Sequence, residues 1–175
     1  MQKYKPKNGE QSIPVLKIRE LKQGFCDANS EMCLSDIDKV YIIKQGDIIF
    51  SWSASLLLDV WTGQICGLNQ HLFKVVPNKY NKWFVYAWTN KYMTRFVSIA
   101  LDKATTMGHI KHSDLNAAVV IIPPKKEYEY LCNLISPLYD SILSLRISNY
   151  KLMELRDFLL PKLMSGEINV SKIDI

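Results

Sequence analysis

Long apolar runs are missing from this chain. The longest candidates, "LLLDVW" and "VVIIPP", are far shorter than the ~18 residues a membrane-spanning helix needs. The opening "MQKYKPKNGEQ" is basic and polar with no apolar stretch behind it, so no secretory leader is expected. A cytoplasmic location is the matching expectation. Cysteine is sparse: Cys26, Cys33, Cys66 and Cys132 lie far apart with no C-x-x-C pair. That spacing suits reduced, mostly buried thiols better than a disulfide frame. Histidine is scarcer still; His109 and His112 stand three apart, but no Cys, Glu or Asp at ligand spacing supports them, so no metal is expected.

Catalytic signatures are equally short. None of the 7 glycines fits G-x-x-x-x-G-K-[ST], and no Gly-rich loop follows a first strand. "IPPK" lacks the acidic or amide residue and the aromatic of a (D/N/S)PP(Y/F) methyltransferase element. No serine-hydrolase elbow is present. "SDIDK" (Ser35–Lys39) is the nearest approach to a nuclease acid cluster, and it reads as a polar turn. The expectation is a protein without catalytic residues and without a cofactor.

What the chain does carry is unevenly placed charge. Residues 1–124 hold 15 Lys+Arg against 10 Asp+Glu, a net of +5, whereas residues 125–175 hold 7 of each. A modest excess confined to one part suits a polyanion partner there. The same division appears in the hydrophobic pattern. "SIPVLKI" (Ser12–Ile18) reads as a short strand with Pro near its start. "KVYIIKQGDIIFSWS" gives two β-branched runs joined by a turn in which Gly46 is free to take φ > 0. "DVWTGQICGLNQHLFKVVP" adds more short strands. In "NKWFVYAWTNKYMTRFVSIAL", Phe84, Trp88, Tyr92, Phe96 and Ala100 recur every fourth residue, with Ala87 and Ile99 beside them, an amphipathic helix. Its aromatic stripe reads as core, with Lys91 and Arg95 on the solvated side. "AVVII" is expected to form a buried strand ended by Pro123-Pro124, a clear boundary.

Beyond the prolines, Leu131, Leu138, Leu145, Leu152 and Leu159 fall seven residues apart. Ile135 and Ile142 begin a second seam that continues as Asn149 and Arg156. A seam this narrow and long predicts a helix over Glu127–Leu160 that packs on another helix. Pro137 should bend it without ending it, and Pro161 and Gly166 should stop it. The fold class read from these patterns is α+β: a small, irregular, mixed β/α domain over residues 1–124, then a long C-terminal helix and tail over 125–175. The alternative for the helix is an ordinary packing back onto its own domain.

With "TTMGHIKHSDLNAAVVIIPP" and "LRDFLLPKLMSGEINV" both placed, the chain resembles the DNA specificity subunit of type I restriction–modification enzymes. Thr106, Ile110, Asp114, Leu115, Ile122 and Pro123-Pro124 are similar to the family's T-x-x-x-I-x-x-x-D-L-x-x-x-x-[IV]-P-x-P ending of a target recognition domain, with Ile122 two residues later than in that pattern and the prolines adjacent. "QSIPVLKIREL" and "GDIIFSWSASL" are similar to its earlier strands, and "LRDFLLPKLMSGEI" to its close. The resemblance runs from about Ser12 to Val170. It implies a non-catalytic subunit that reads one half-site of a split target on double-stranded DNA and directs methyltransferase subunits, and through them the restriction/translocase subunit, to it. It also implies a spacer helix that pairs antiparallel in a coiled coil. The chain departs from the family in having one recognition domain and one helix where two of each are usual, and the customary opening strand is short or missing. It therefore corresponds to a half-size subunit that dimerises or joins a second half, or to a truncated product.

That resemblance and the polar turns nominate a set of DNA-facing residues: Lys44, Ser51, Ser53, Ser55, Gln70 and His71 in the β region, and Lys103, Thr105, Thr106, His109 and Lys111 in the loop before the double proline. Lysines would meet phosphates, and Gln70 has the amide that pairs with adenine. Ile110 and Leu115 are expected to be packed, and Asp114 to cap the turn. Trp52 either stacks on a base or joins the core. The spacer helix would use Leu131, Leu138, Ile142, Leu145, Asn149, Leu152 and Leu159, with Asn149 penalising slipped registers. A competing reading is a coiled-coil interaction adaptor without sequence-specific DNA binding.

Overall fold

A computed structural model of the chain describes residues 2–102 and 108–168. A 3-10 turn (Gln2–Tyr4) leads into β1 (Ser12–Leu16), α1 (Ile18–Gln23), β2 (Met32–Leu34), β3 (Ile42–Ile43), β4 (Ile48–Ser51), β5 (Leu57–Val60), β6 (Cys66–Leu68) and β7 (Leu72–Val75). Three helices follow: α2 (Lys82–Asp102), α3 (His112–Asn116) and α4 (Lys125–Met164). The mixed α+β class and the long C-terminal helix match the reading from sequence. The strands make two small sheets, in the order β2-β1-β6-β3 and β5-β4-β7. β1 and β6 run parallel, and every other pairing is antiparallel.

β4 is the shared wall of the molecule. Ile49 points into a core with Leu16, Leu21, Trp61 and Cys66. Ile48 and Phe50 point the other way, against Leu58, Val60, Phe96 and Ile110. All four β4 residues are buried, which explains why "IIFS" is an apolar run with no alternation. The α2 stripe lies on the second side: Phe84, Phe96 and Ala100 are buried, and Phe96 meets Phe50 edge-on at 6.2 Å. Ala87, expected beside this stripe, faces solvent. Lys91 and Arg95 are exposed but lie over Trp88 and Tyr92, at 4.6 and 6.0 Å from the ring centres. Gly46, with φ of 83°, turns the chain between β3 and β4 as its sequence context required. Asp38 caps the turn in "SDIDK" by accepting from the Val40 amide.

Three elements differ from the sequence reading. "AVVII" is not a buried strand: residues 118–122 carry no strand assignment, and Val119 and Ile121 are 73% and 72% exposed. They pair with no strand of either sheet, so β-branched composition alone misled. α1 was not anticipated; it starts where Glu20 accepts from the Lys17 amide and ends at Gly24, whose φ of 85° closes it. Pro161 does not stop α4, which runs on to Met164 with Gly166, at φ 76°, just beyond. α4 is one continuous helix across Pro137, as expected from the unbroken leucine phase.

α4 serves two surfaces. Tyr128, Tyr139, Leu143, Arg146 and Tyr150 form a face that packs on the globular body. At its foot, Tyr128 packs among Tyr80, Trp83 and Phe84, and its hydroxyl accepts from the Asn81 amide at 2.9 Å. Higher up, Leu143 Cδ2 lies so close to the β3–β4 turn that a Cβ on Gly46 would sit 3.3 Å from it. Arg146 pairs with Asp59, and Tyr150 is buried beside Gln64. The leucine seam lies about a third of a turn around the helix from this face. There Leu138, Ile142, Leu145 and Leu152 are 59–65% exposed, Asn149 is exposed, and Leu131 and Leu159 are half-buried. The helix is thus not a free rod, and the seam is not what holds it to the body.

Because Ile49 is fully buried at the wall between the two cores, Ile49→Ala should destabilise the fold by about 2–5 kcal/mol. Urea unfolding followed by far-ultraviolet circular dichroism measures it.

Candidate nucleic-acid interface

Three segments converge at one end of β4. The chain leaving that strand, Trp52–Ser55, is pinned on both sides by backbone bonds. Trp52 N donates to His71 O at 3.3 Å, Ile110 N to Trp52 O at 3.0 Å, and Ala54 N to Gly108 O at 3.0 Å. A single β-bridge joins Ser53 to His109. The residues 53–55, 69–71 and 108–112 therefore form one surface, although they are far apart in sequence.

Side chains lock the same geometry. The Ser53 hydroxyl lies 2.9 Å from His71 Nδ1, and Trp52 Nε1 donates to Gln70 O at 3.0 Å. The His71 amide donates to Asn69 Oδ1 at 3.1 Å. Trp52 stacks on Phe73 at 5.8 Å, and Phe73 meets His112 at 4.9 Å, making an aromatic row beneath the turn. Ile110 is buried, and Leu115 is packed beside it. Asp114 caps α3 by accepting from the Lys111 amide. Ala54 takes φ of 59°, the left-handed region that alanine rarely occupies. The pinned bonds on either side hold it there.

The nominated residues separate clearly once placed. Gln70, His71, His109 and Lys111 are exposed on this surface, and Ser55 is half-buried at its edge, where Lys22 Nζ donates to it at 3.1 Å. Ser53 is 9% exposed and reaches the surface only through His71. Ser51 is fully buried, and its hydroxyl donates to Ser53 O, so a partner at the surface does not reach it. Lys44 is exposed but lies in the turn before β4, at the opposite end of that strand from the cluster. Lys103, Thr105 and Thr106 fall outside the described residues. Trp52 is half-buried and stacked within the protein.

The turn at Asn69–His71 is a ridge between two concavities. One, of about 420 Å³, is lined by Lys17, Arg19, Glu31, Gln70 and His71. The other, of about 850 Å³, takes in Lys39, Tyr41, Gln70, Phe73 and His112. Sequence reasoning missed Arg19, Lys22, Asn69 and His112 here. The six-residue α1 is too short for a periodic signal, and only the tertiary fold brings it beside the turn. Arg19 is held in place: Nε and Nη2 donate to the buried Glu20 carboxylate at 3.0 and 2.7 Å, and Nη2 reaches Asp27 at 2.9 Å. Hydrogen bonds to Glu20 and then Asp27 raise the guanidinium above its ordinary value, so it stays charged. Exposed amides, imidazoles and cations on a rigid ridge can satisfy phosphates and base edges.

No family model matches the chain. It is 28% identical over 171 residues to the type I restriction enzyme MjaIX specificity subunit of Methanocaldococcus jannaschii, covering 92% of this chain and 39% of that protein. This chain is similar to type I restriction enzyme specificity subunits. The HindI specificity subunit of Haemophilus influenzae is a second relative, 24% identical over 162 residues, with 89% of this chain and 35% of that protein covered. The chain thus spans well under half the length of either specificity subunit. A solved structure concerning assembly and conformational transition of the type I R-M system aligns with a TM-score of 0.43 at 19% identity, over 89% of this chain and 38% of that one.

The left-handed alanine gives this surface a local test. Ala54→Gly should stabilise the protein by roughly 1 kcal/mol, and Ala54→Val should destabilise it by at least as much. Paired urea titrations measure both, and a glycine variant less stable than the parent would show that the pinned turn is unstrained.

Proposed function

We propose that this chain is a sequence-reading unit of a type I restriction–modification system. Residues 1–124 bind one half-site of a bipartite target on duplex DNA, and 125–175 set its distance from a second reader. It performs no chemistry itself; methyltransferase subunits, and through them a restriction/translocase subunit, act where it binds. The observation that carries this reading is similarity to specificity subunits along nine-tenths of the chain.

The geometry supports the reading in two ways. The exposed ridge, Gln70, His71, His109 and Lys111 with Arg19 and Lys22 beside it, faces outward from a doubly buried strand, so its groups are preorganised. The leucine face of α4 is uncovered among the described residues and lies about a third of a turn from the contacts that hold the body, so a second helix can lie along Leu138, Leu145 and Leu152, with Ile142 at the border, and leave those contacts in place. We assign that place to an antiparallel copy of this chain or to the other half of a full subunit, with Asn149 disfavouring slipped pairings.

Binding that neutralises phosphates is salt-dependent. Affinity for a labelled random duplex should fall at least tenfold between 50 and 200 mM salt on the order expected for several phosphate contacts. Replacing both Lys22 and Lys111 by Ala should lower the log–log salt slope by about two. A binding constant indifferent to salt would sink the reading.

The uncovered seam also favours a second reading, an adaptor that only docks a partner helix. Sedimentation separates the two in part. Leu145→Asp should reduce the parent's assembly to a single chain while its circular dichroism stays unchanged, because Leu145 is 65% exposed within one chain. An adaptor loses its partner by this change but shows no salt-dependent duplex binding beforehand.

A further inference from the structure

The reader and the rod are joined by few directional contacts, and those contacts are unevenly spaced. Residues 118–124 enter α4 without sheet pairing, tied laterally by the Tyr92 hydroxyl, which donates to Val119 O. At the foot, Tyr128 sits among aromatic rings and its hydroxyl exchanges two hydrogen bonds with Asn81, a contact at one point about which the rod can pivot. From Tyr128 to Arg146 is 18 residues, about 27 Å along the axis at 1.5 Å each. Apolar contacts occupy the interval: Tyr139 and Leu143 pack against the second core, Tyr139 at 6.3 Å from Tyr86, beside a cavity of about 140 Å³ that Ile142 and Val60 also line. Such surfaces slide at little cost. The Arg146–Asp59 pair does not. Nη1 and Nη2 donate to the two carboxylate oxygens at 2.9 and 2.8 Å, a planar fork with one allowed orientation. Asp59 is itself fixed, because it belongs to β5 and Oδ1 also accepts from the Val60 amide at 2.8 Å. One turn further, the Tyr150 hydroxyl lies 2.8 Å from Gln64 Oε1 and 2.6 Å from Glu154 Oε1.

We propose that Arg146 and Asp59 are positioning residues that fix the angle between reader and rod, and so select one spacer length between the two half-sites of the target. The lever arithmetic supports this. A rock of about 6° about the foot displaces the body by about 3 Å at the height of Arg146. Successive base pairs are about 3.4 Å apart. Play of that size is the difference between one spacer and the next, so a sliding contact would blur the spacing and a bidentate pair sharpens it. The inference rests on the reading of the chain as one half of a bipartite reader.

The test is selection of bound sequences from a pool of randomised duplexes about four helical turns long, using the full chain. The parent should enrich two elements at one separation, with separations one base pair longer or shorter depleted about tenfold. The double variant Arg146→Met, Asp59→Asn removes both charges and leaves no buried ion unpaired. It should enrich the same two elements, with the neighbouring separations recovering to within about threefold. Arg146→Lys keeps the charge but not the fork, and should broaden the spacing in the same direction with the fold intact. Exchange of the pair, Asp59→Arg with Arg146→Asp, should narrow it again. An unchanged spacing distribution in both the double variant and Arg146→Lys overturns the inference, as does loss of the elements themselves. If the parent enriches no paired elements, the bipartite reading itself fails and takes this inference with it.

Discussion

Burial of β4 on both faces is the constraint from which the rest of this structure follows. Ile49 on one side and Ile48 and Phe50 on the other belong to two separate cores, so neither core can shift without moving the strand they share. Close packing makes such a strand stiff. The Trp52–Ser55 segment leaves the end of this strand and carries the candidate surface, whose flanking segments hydrogen-bond to that exit. The opposite end of β4 leads through Asp47 and Gly46 to the turn beside which Leu143 of α4 lies. One four-residue strand therefore connects the ridge at one end with the rod at the other.

The rod carries two faces with apolar residues, and its sequence divides them by angle. Bulky aromatics and an arginine occupy the face toward the body, at 128, 139, 146 and 150, while leucines recur on a face about a third of a turn away. Tyr139 on the inner face is buried enough that its hydroxyl is pushed up to about 12. The inner contacts are mixed, with rings, an ion pair and a hydroxyl near an amide, and so they define one orientation. The outer face is a simple repeated apolar surface, which defines a register only through interruptions such as Asn149. Packing back on the body and offering a seam outward were alternatives at the level of sequence. The helix is wide enough to do both.

This explains what could be read directly and what could not. The seven-residue leucine spacing, the fourfold aromatic period of α2 and the turn at Gly46 are local signals whose physics repeats within a few residues, and each led to the right element. The exposed "AVVII" misled because β-branched composition reports what would fit a strand, not whether a neighbouring edge is free. α1 escaped because six residues cannot show a helical period. Of the residues nominated as polar and beside turns, Gln70, His71, His109 and Lys111 lie together on the exposed ridge, whereas Ser51 has its side chain sealed inside and Lys44 lies at the other end of the strand. Alternation along β4 puts Ser51 on the same face as Ile49, but an apolar run buried on both sides does not show in sequence that this face is an inner one.

The arrangement has a consequence for how such a reader can change. The exposed groups of the ridge contribute little to either core: Gln70 lies on a turn, His109 on a bridge and Lys111 ahead of a short helix. Backbone hydrogen bonds, from Trp52 to His71 and from Ile110 to Trp52, hold those positions whatever side chains they carry. Ser53 and Trp52 differ, because their side chains join the packing that shapes the ridge. Substitution at the first group can therefore alter the groups that the ridge presents while the wall, the second core and the rod stay as they are. Substitution at the second group moves the ridge itself. A surface built this way separates the choice of sequence from the stability of the fold, which is what rigid scaffolds carrying variable turns make possible.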